Sequence, residues 1–336
     1  MRPPTSTHRL EDYTVGWICA LPIELSMAIG MLDGNHASLA QPSNDSNNYT
    51  LGRIGEHNVA IACLPTGLNG TNSVASSAAR IQQTFRSMRF FLLVGTGDGV
   101  PTVTDIRLGD IVVADPRELQ GGAIQYVLQK SIQSSRIEKL YSLRDPPAEV
   151  LSAMSSLRAR HLLEDTEVPR YLSEMTTRYP KMQKNISYPG QQHDLLFETS
   201  YRHQGVPGKC AECDHDRVIS RSLRDENTPA IHYGRIASAA DVISDGEIRD
   251  HLGILTHIAC FETEAAGFPE DYPCLVIRGI HGYADSHASE RWRPYAAATA
   301  AAYAKEFLSI VPAHQNTPVK TTASLSRLFN MFRKPK

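Results

Sequence analysis

Residues 90 to 101 read FFLLVGTGDGVP. The run from Phe90 to Val94 is continuously apolar rather than alternating, as a strand covered on both faces requires, and such strands belong to sheets packed between layers of helices. Gly95, Gly97 and Gly99 then read as a glycine-rich loop at the strand end, where backbone N–H groups can reach a sugar hydroxyl, an anion or a water. No Gly-Lys-Ser/Thr follows, so this is not a P-loop. Position 100 is Val and no helix opens there, so it is not a dinucleotide fingerprint either.

Comparable runs lie on either side: TVGWICAL (14–21), NVAIACL (58–64), DIVVA (110–114) and CLVIRGI (274–280). Between them GTNSVASSAARIQQTF (70–85) reads as a helix capped at Asn72 or Ser73, and RPYAAATAAAYAKEFLSI (293–310) as one with Pro294 in its first turn. Strand alternating with helix predicts an α/β sandwich on a mixed or largely parallel sheet. Residues 1–12 read as an N-terminal extension and 13–312 as one domain. Within it, 130–230 is charged, proline-dotted and weakly periodic, a long insertion carrying helices such as 146–160. Residues 313–336 read as a disordered basic tail, although Leu325, Leu328, Phe329 and Phe332 would share one helical face.

With 41% hydrophobic and 21% charged residues among 336 and a net charge of −2, the chain has an ordinary globular composition and no basic footprint for nucleic acid. The start, MRPPTSTHRLEDY, lacks an apolar signal core, and no run approaches membrane-span length, so a cytoplasmic protein without a membrane partner is expected. Cys19, Cys63, Cys260 and Cys274 lie in or beside apolar runs, which suits reduced, buried thiols. A small-molecule ligand is the expectation that remains, with no cofactor.

Three stretches carry candidate chemistry. CFETEAAGF (260–268) sets Glu262 and Glu264 two apart, on one face if the segment is extended; a carboxylate beside an apolar run is costly to bury unless it accepts hydrogen bonds, for instance from a ligand diol. IRGIHGYADSH (277–287) delivers Arg278, His281 and Asp285 into a strand-end loop. HQGVPGKCAECDH (203–215) offers His203, Cys210, Cys213 and His215, half of a zinc-finger pattern. Its fourth ligand is unassigned, so no metal is expected, Cys210 and Cys213 being the candidates should one bind. There is no Gly-x-Ser-x-Gly elbow and no His-Glu-x-x-His helix.

Together with ICALPIEL, DIRLGDIVVADP, YPGQQHDLLFETSY, HYGRIASAADVI and RWRPYAAATAAAYAKEFL, these stretches resemble the nucleoside phosphorylase and nucleosidase superfamily over residues 14 to 310, most of all its fungal branch, whose domains also occur at the front of larger receptors. The resemblance implies a three-layer α/β/α sandwich around a mixed, partly barrel-like sheet, and a homo-oligomer. It implies that Glu24 and Arg278 hold an attacking water, that Thr96, with Gly97 and Asp98 beside it, lies near the ribose, that Glu264 takes the ribose hydroxyls, and that Val242 and Ile243 rest against the base. Phosphorylases of the superfamily carry a phosphate loop where this chain has ALPIEL. Glu24 and Asp98 would repel phosphate, so water is the expected nucleophile.

Three positions depart from the family pattern. The Asp that protonates the departing base is Gly282, the Met that packs on the sugar is Thr263, and a Gly common in the glycine loop is Asp98. A positioned general acid contributes about 10²- to 10⁴-fold, so its loss weakens a purine nucleosidase unless His281 or Asp285 replaces it. His281 would point to the opposite face if the segment stays extended. The leading expectation is hydrolysis of the N-glycosidic bond of a purine nucleoside or nucleotide. The alternatives are a scaffold repurposed for a cyclisation or rearrangement in secondary metabolism, and a non-catalytic nucleoside sensor.

Overall fold

The computed structural model describes residues 8–68, 70–116, 122–130, 135–206, 208–224, 227–240 and 243–313, the side chains of 127–130 and 135–142 excepted. Val242 and the tail from 314 lie outside the described residues. Eleven strands form one sheet: β1 (Val15–Cys19), β2 (Gly34–Asn35), β3 (Tyr49–Ile54), β4 (His57–Cys63), β5 (Phe90–Gly99), β6 (Ile111–Ala114), β7 (Ala123–Lys130), β8 (Ser135–Ser142), β9 (Ile231–Ser238), β10 (Ile258–Glu262) and β11 (Cys274–Gly282). Their order is β2-β3-β4-β1-β5-β11-β6-β9-β7-β8. The strand β10 bridges β9 to β5, closing β5, β11, β6, β9 and β10 into a ring. The sheet is mixed: β1 and β11 run parallel to β5, whereas β10 and β6 run antiparallel to β5 and β11.

Helices cover both faces. The helices α1 (Pro22–Met31), α3 (Ala148–His161), α4 (Val168–Arg178) and α7 (Arg293–Ile310) pack against Trp17, Leu92, Val94 and Ile277. The helix α2 (Thr71–Thr84) packs Val74, Ala78 and Ile81 against Ile18, Phe91, Leu93 and Val276. The unbroken apolar run of β5 thus alternates between two cores, one per face. Two short or separate helices, α5 (Gln183–Ile186) and α6 (Gly246–Thr256), complete the set among the described residues. This is the three-layer α/β/α sandwich on a mixed, partly barrel-like sheet. Side chains of α3 and α4 enter the main core, so the first half of the 130–230 segment contributes two helices to the layer that also holds α1 and α7.

Two local readings are corrected. The cap of α2 is Gly70, with φ 93° and ψ −173°, a conformation closed to residues with a side chain; neither Asn72 nor Ser73 caps it, because the helix is already under way at Thr71. The glycines at 95, 97 and 99 lie inside β5, which runs on to Gly99. They clear space rather than form a loop: a Cβ on Gly95 would enter the Arg278 and Glu24 side chains, and one on Gly97 would press on Cys260 and the Phe261 carbonyl.

The helix α7 is buried along almost its whole length, and its alanines let the sheet approach its backbone. At the closest point Gly279 of β11 lies under the Ala296 carbonyl, with no room for a methyl group. Gly279→Ala is therefore expected to lower stability by about 1–3 kcal/mol or more, read as a fall in the urea midpoint with an unchanged slope.

Candidate active site

The parallel strands β1, β5 and β11 end on the same side of the sheet, where ligands of open α/β sheets bind. A cleft of about 270 Å³ opens there. Its walls include Leu21 and Glu24 after β1, Thr96, Gly97 and Asp98 of β5, Tyr126, Ile243, Phe261 to Glu264, His281 and Arg293.

Below the cleft lies Arg278, 1% exposed. Its Nη2 pairs with the Glu262 carboxylate and lies 3.2 Å from Glu264 Oε2. Burial disfavours the guanidinium charge, but Glu262, Glu264 and Glu24 more than offset it and raise its pKa. Glu262 is consumed by this pairing and by the backbone N–H groups of Glu264 and Ala265. Glu264 faces the cleft and accepts from the Thr263 hydroxyl at 2.6 Å.

Glu24 sits in the first turn of α1, where a carboxylate satisfies free N–H groups and suits the helix dipole. Its Oε2 accepts from the Ala20 and Leu21 N–H groups, and its Oε1 from Thr96 N–H at 2.8 Å and the Thr96 hydroxyl at 3.2 Å. Burial raises its pKa against the pull of Arg278, and burial raises that of Glu262 in the same way. Glu24 and Glu262 are thus both pushed toward the protonated form by burial, although each lies near the guanidinium.

The register of β11 on β5 slips between Ile280 and Gly282. This bulge turns His281 into the cleft instead of to the opposite face. Its Nδ1 faces the Gly97 carbonyl at 3.0 Å and its Nε2 the Arg293 Nη2 at 2.9 Å. Gly282 pairs directly with Asp98 across the two strands, and a Cβ at 282 would collide with Asp98 Oδ1. The Asp98 carboxyl therefore occupies the space a side chain at 282 would use. Burial raises its pKa; Asp285 adds to the rise, while Arg293 and, when protonated, His281 oppose it.

Of the residues singled out in the sequence, Glu24, Thr96, Gly97, Asp98, Ile243, Thr263, Glu264 and His281 come together at the cleft. Arg278 lies under its floor. Asp285 is not on the wall: it accepts from His287 N–H at 2.8 Å and lies 3.5 Å from Arg249 Nη1. Tyr126, Phe261 and Arg293 were not foreseen as lining residues. Arg293 had its signal in RWRPY, read only as a helix start. His203, Cys210 and Cys213 gather elsewhere, with ligand atoms within 4.8 Å of one another.

The same arrangement of strands occurs in solved nucleosidases. The 5'-methylthioadenosine/S-adenosylhomocysteine nucleosidase of Neisseria meningitidis, solved with methylthio-immucillin-A, is 14% identical with a TM-score of 0.53, covering 88% of this chain and 98% of that one. Futalosine hydrolase of Helicobacter pylori is 13% identical with a TM-score of 0.52, covering 89% and 98%. The chain has the nucleoside phosphorylase and nucleosidase fold.

Among curated proteins it is 42% identical over 303 residues to a nucleotide-binding leucine-rich repeat (NLR)-like protein of the fungus Hyaloscypha variabilis, covering 90% of this chain and 30% of that protein. The chain thus spans under a third of the length of this relative. No family model matches it. Among the described residues no helix is long and apolar enough to cross a membrane.

Removing the buried cation while keeping its bulk tests this account. Arg278→Met is expected to cost about 3–5 kcal/mol near neutral pH, because it strands buried carboxylates. Without Arg278 the folded-state pKa values of Glu24 and Glu262, already raised by burial, rise further, so the folded protein binds more protons than the unfolded one and stability falls as pH rises. Denaturant titrations at about pH 5 and about pH 8 should show the larger deficit at the higher pH.

Proposed function

We propose that the chain hydrolyses the N-glycosidic bond of a purine nucleoside or nucleotide, with water as the nucleophile. The observation that carries this is one cleft lined by three carboxylates, Glu24 and Glu264 above the buried Arg278 and Asp98 over Gly282. Glycosidic cleavage passes through a cationic ribosyl centre, which carboxylates stabilise, and it needs a proton delivered to the leaving base. Glu264 accepts the ribose hydroxyls. The weakest of the four bonds to Glu24, that from the Thr96 hydroxyl, is the one an attacking water would replace. Arg278 does not reach the cleft and serves as a positioning residue beneath Glu262 and Glu264.

The proton comes from Asp98 in this proposal. His281 has both nitrogens committed to Gly97 and Arg293, and Asp285 is held by Arg249 and the His287 backbone. Asp98 projects from the neighbouring strand into the space over Gly282, and its raised pKa suits a carboxyl that keeps its proton.

The experiment is chromatographic detection of free base after incubation with purine and pyrimidine nucleosides and nucleotides, with and without phosphate. Phosphate-independent release is expected, falling at least about 10²-fold in Asp98→Asn, Glu24→Ala and Glu264→Ala. Since the acid form of Asp98 is needed, kcat/KM should fall as pH rises through its elevated pKa, and Asp98→Asn should lose that limb. The double exchange Asp98→Gly with Gly282→Asp should recover activity that Asp98→Gly alone loses. Gly282→Asp alone should not gain, because the two carboxyls share one volume. No release by the wild-type protein from any of these compounds would overturn the proposal.

A second reading is favoured by the NLR-like relative: a ligand-sensing segment of a larger protein that binds a nucleoside without turnover. It predicts saturable calorimetric binding with no base released, and fails if nothing nucleoside-like binds.

A further inference from the structure

Away from the cleft, the imidazole of His287 is buried and neither ring nitrogen has a hydrogen-bond partner. Buried polar atoms without partners cost free energy and call for an explanation. The ring is stacked on Phe197, with centroids 4.1 Å apart, and its centroid lies 5.6 Å from that of His203. His203 belongs to the cluster with Cys210 and Cys213. Both cysteines are free thiols.

We propose that His203, Cys210, Cys213 and His287 form a tetrahedral zinc site that fastens the 203–213 loop to the turn after β11. Two thiolates and two imidazoles are the soft nitrogen and sulfur set that structural zinc takes, with Cys-x-x-Cys supplying one edge of the tetrahedron. His287 is the ligand absent from the local sequence pattern, and it arrives from a distant part of the chain. Asp285 Oδ1 lies 3.6 Å from His287 Nδ1, the kind of carboxylate that orients a metal-binding imidazole and leaves Nε2 to coordinate. His203 Nε2 lies 3.2 Å from the Lys209 carbonyl, which leaves its Nδ1 for the metal; His287 rather than His215 is the fourth ligand, since His215 Nε2 is engaged with the Cys210 carbonyl at 3.1 Å while both His287 nitrogens lack a hydrogen-bond partner. The loops already touch, because His203 N–H donates to the Ser286 hydroxyl at 2.9 Å. Binding releases the two thiol protons to solvent, with no change of oxidation state. Ala288, next along the turn, lines the cleft, so the ion would brace that wall without entering it.

The test uses the full chain, expressed with zinc in the medium and purified without chelator, and is independent of whether any nucleoside is cleaved. Elemental analysis should find one zinc per chain. Replacement by cobalt should give the intense visible bands of a tetrahedral ion and a thiolate charge-transfer band. Cys210→Ser, Cys213→Ser and His287→Ala should each lose stoichiometric zinc, whereas Cys274→Ser should keep it. Chelation should lower the melting temperature of the wild-type protein. The wild-type measurements require no variant to fold. Wild-type protein without zinc and without a cobalt spectrum would overturn the proposal, as would a Cys210–Cys213 disulfide. An unchanged cobalt spectrum in folded His287→Ala would overturn the four-ligand set.

Discussion

The buried charge of Arg278 is the constraint around which the ligand end of the sheet is built. A guanidinium withdrawn from water is tolerable only where carboxylates meet it, and the three that do come from separate segments: Glu24 from α1, Glu262 from the end of β10, Glu264 from the turn that follows. Meeting that requirement brings the ends of β1, β5, β10 and β11 together. It also fixes Gly95 and Gly97, since side chains there would occupy the space of the charged cluster and of Cys260. The cleft is the upper surface of this electrostatic knot.

The strand ring gives the cluster a rigid frame. β1 flanks β5 from Phe90 to Leu93, β11 flanks it from Phe91 to Asp98, and β10 crosses to its end at Asp98 and Gly99, so the segment bearing Thr96 and Asp98 is held by β11 and β10. Thr96, Asp98 and Phe261 consequently line the cleft from paired strands, and Glu24, in the first turn of α1, is tied to the same frame through its bonds to Thr96.

Most of the fold was legible in the sequence because its buried strands hold continuous apolar runs and its longest helix is mostly alanine and apolar residues. The cap of α2 was missed because side-chain capping rules say nothing of a glycine chosen for backbone angle. The glycines of β5 were read as a loop because spacing alone does not separate a glycine that admits a ligand from one that admits a neighbouring side chain. Glu24 and Thr96 were singled out only through the resemblance, Glu264 also from its place beside an apolar run, and all three line the cleft. Tyr126 and Phe261 carry no local signal; they reach the cleft through sheet closure, a long-range pairing invisible in any short window. The inward turn of His281 depends on a one-residue bulge, and strand periodicity assumes that no such bulge exists.

Positions 98 and 282 face each other across two strands and draw on one volume. A side chain at either position is therefore read through the other: what residue 282 can be depends on where the Asp98 carboxyl lies, and exchanges at the two positions act as a pair whose effects do not add.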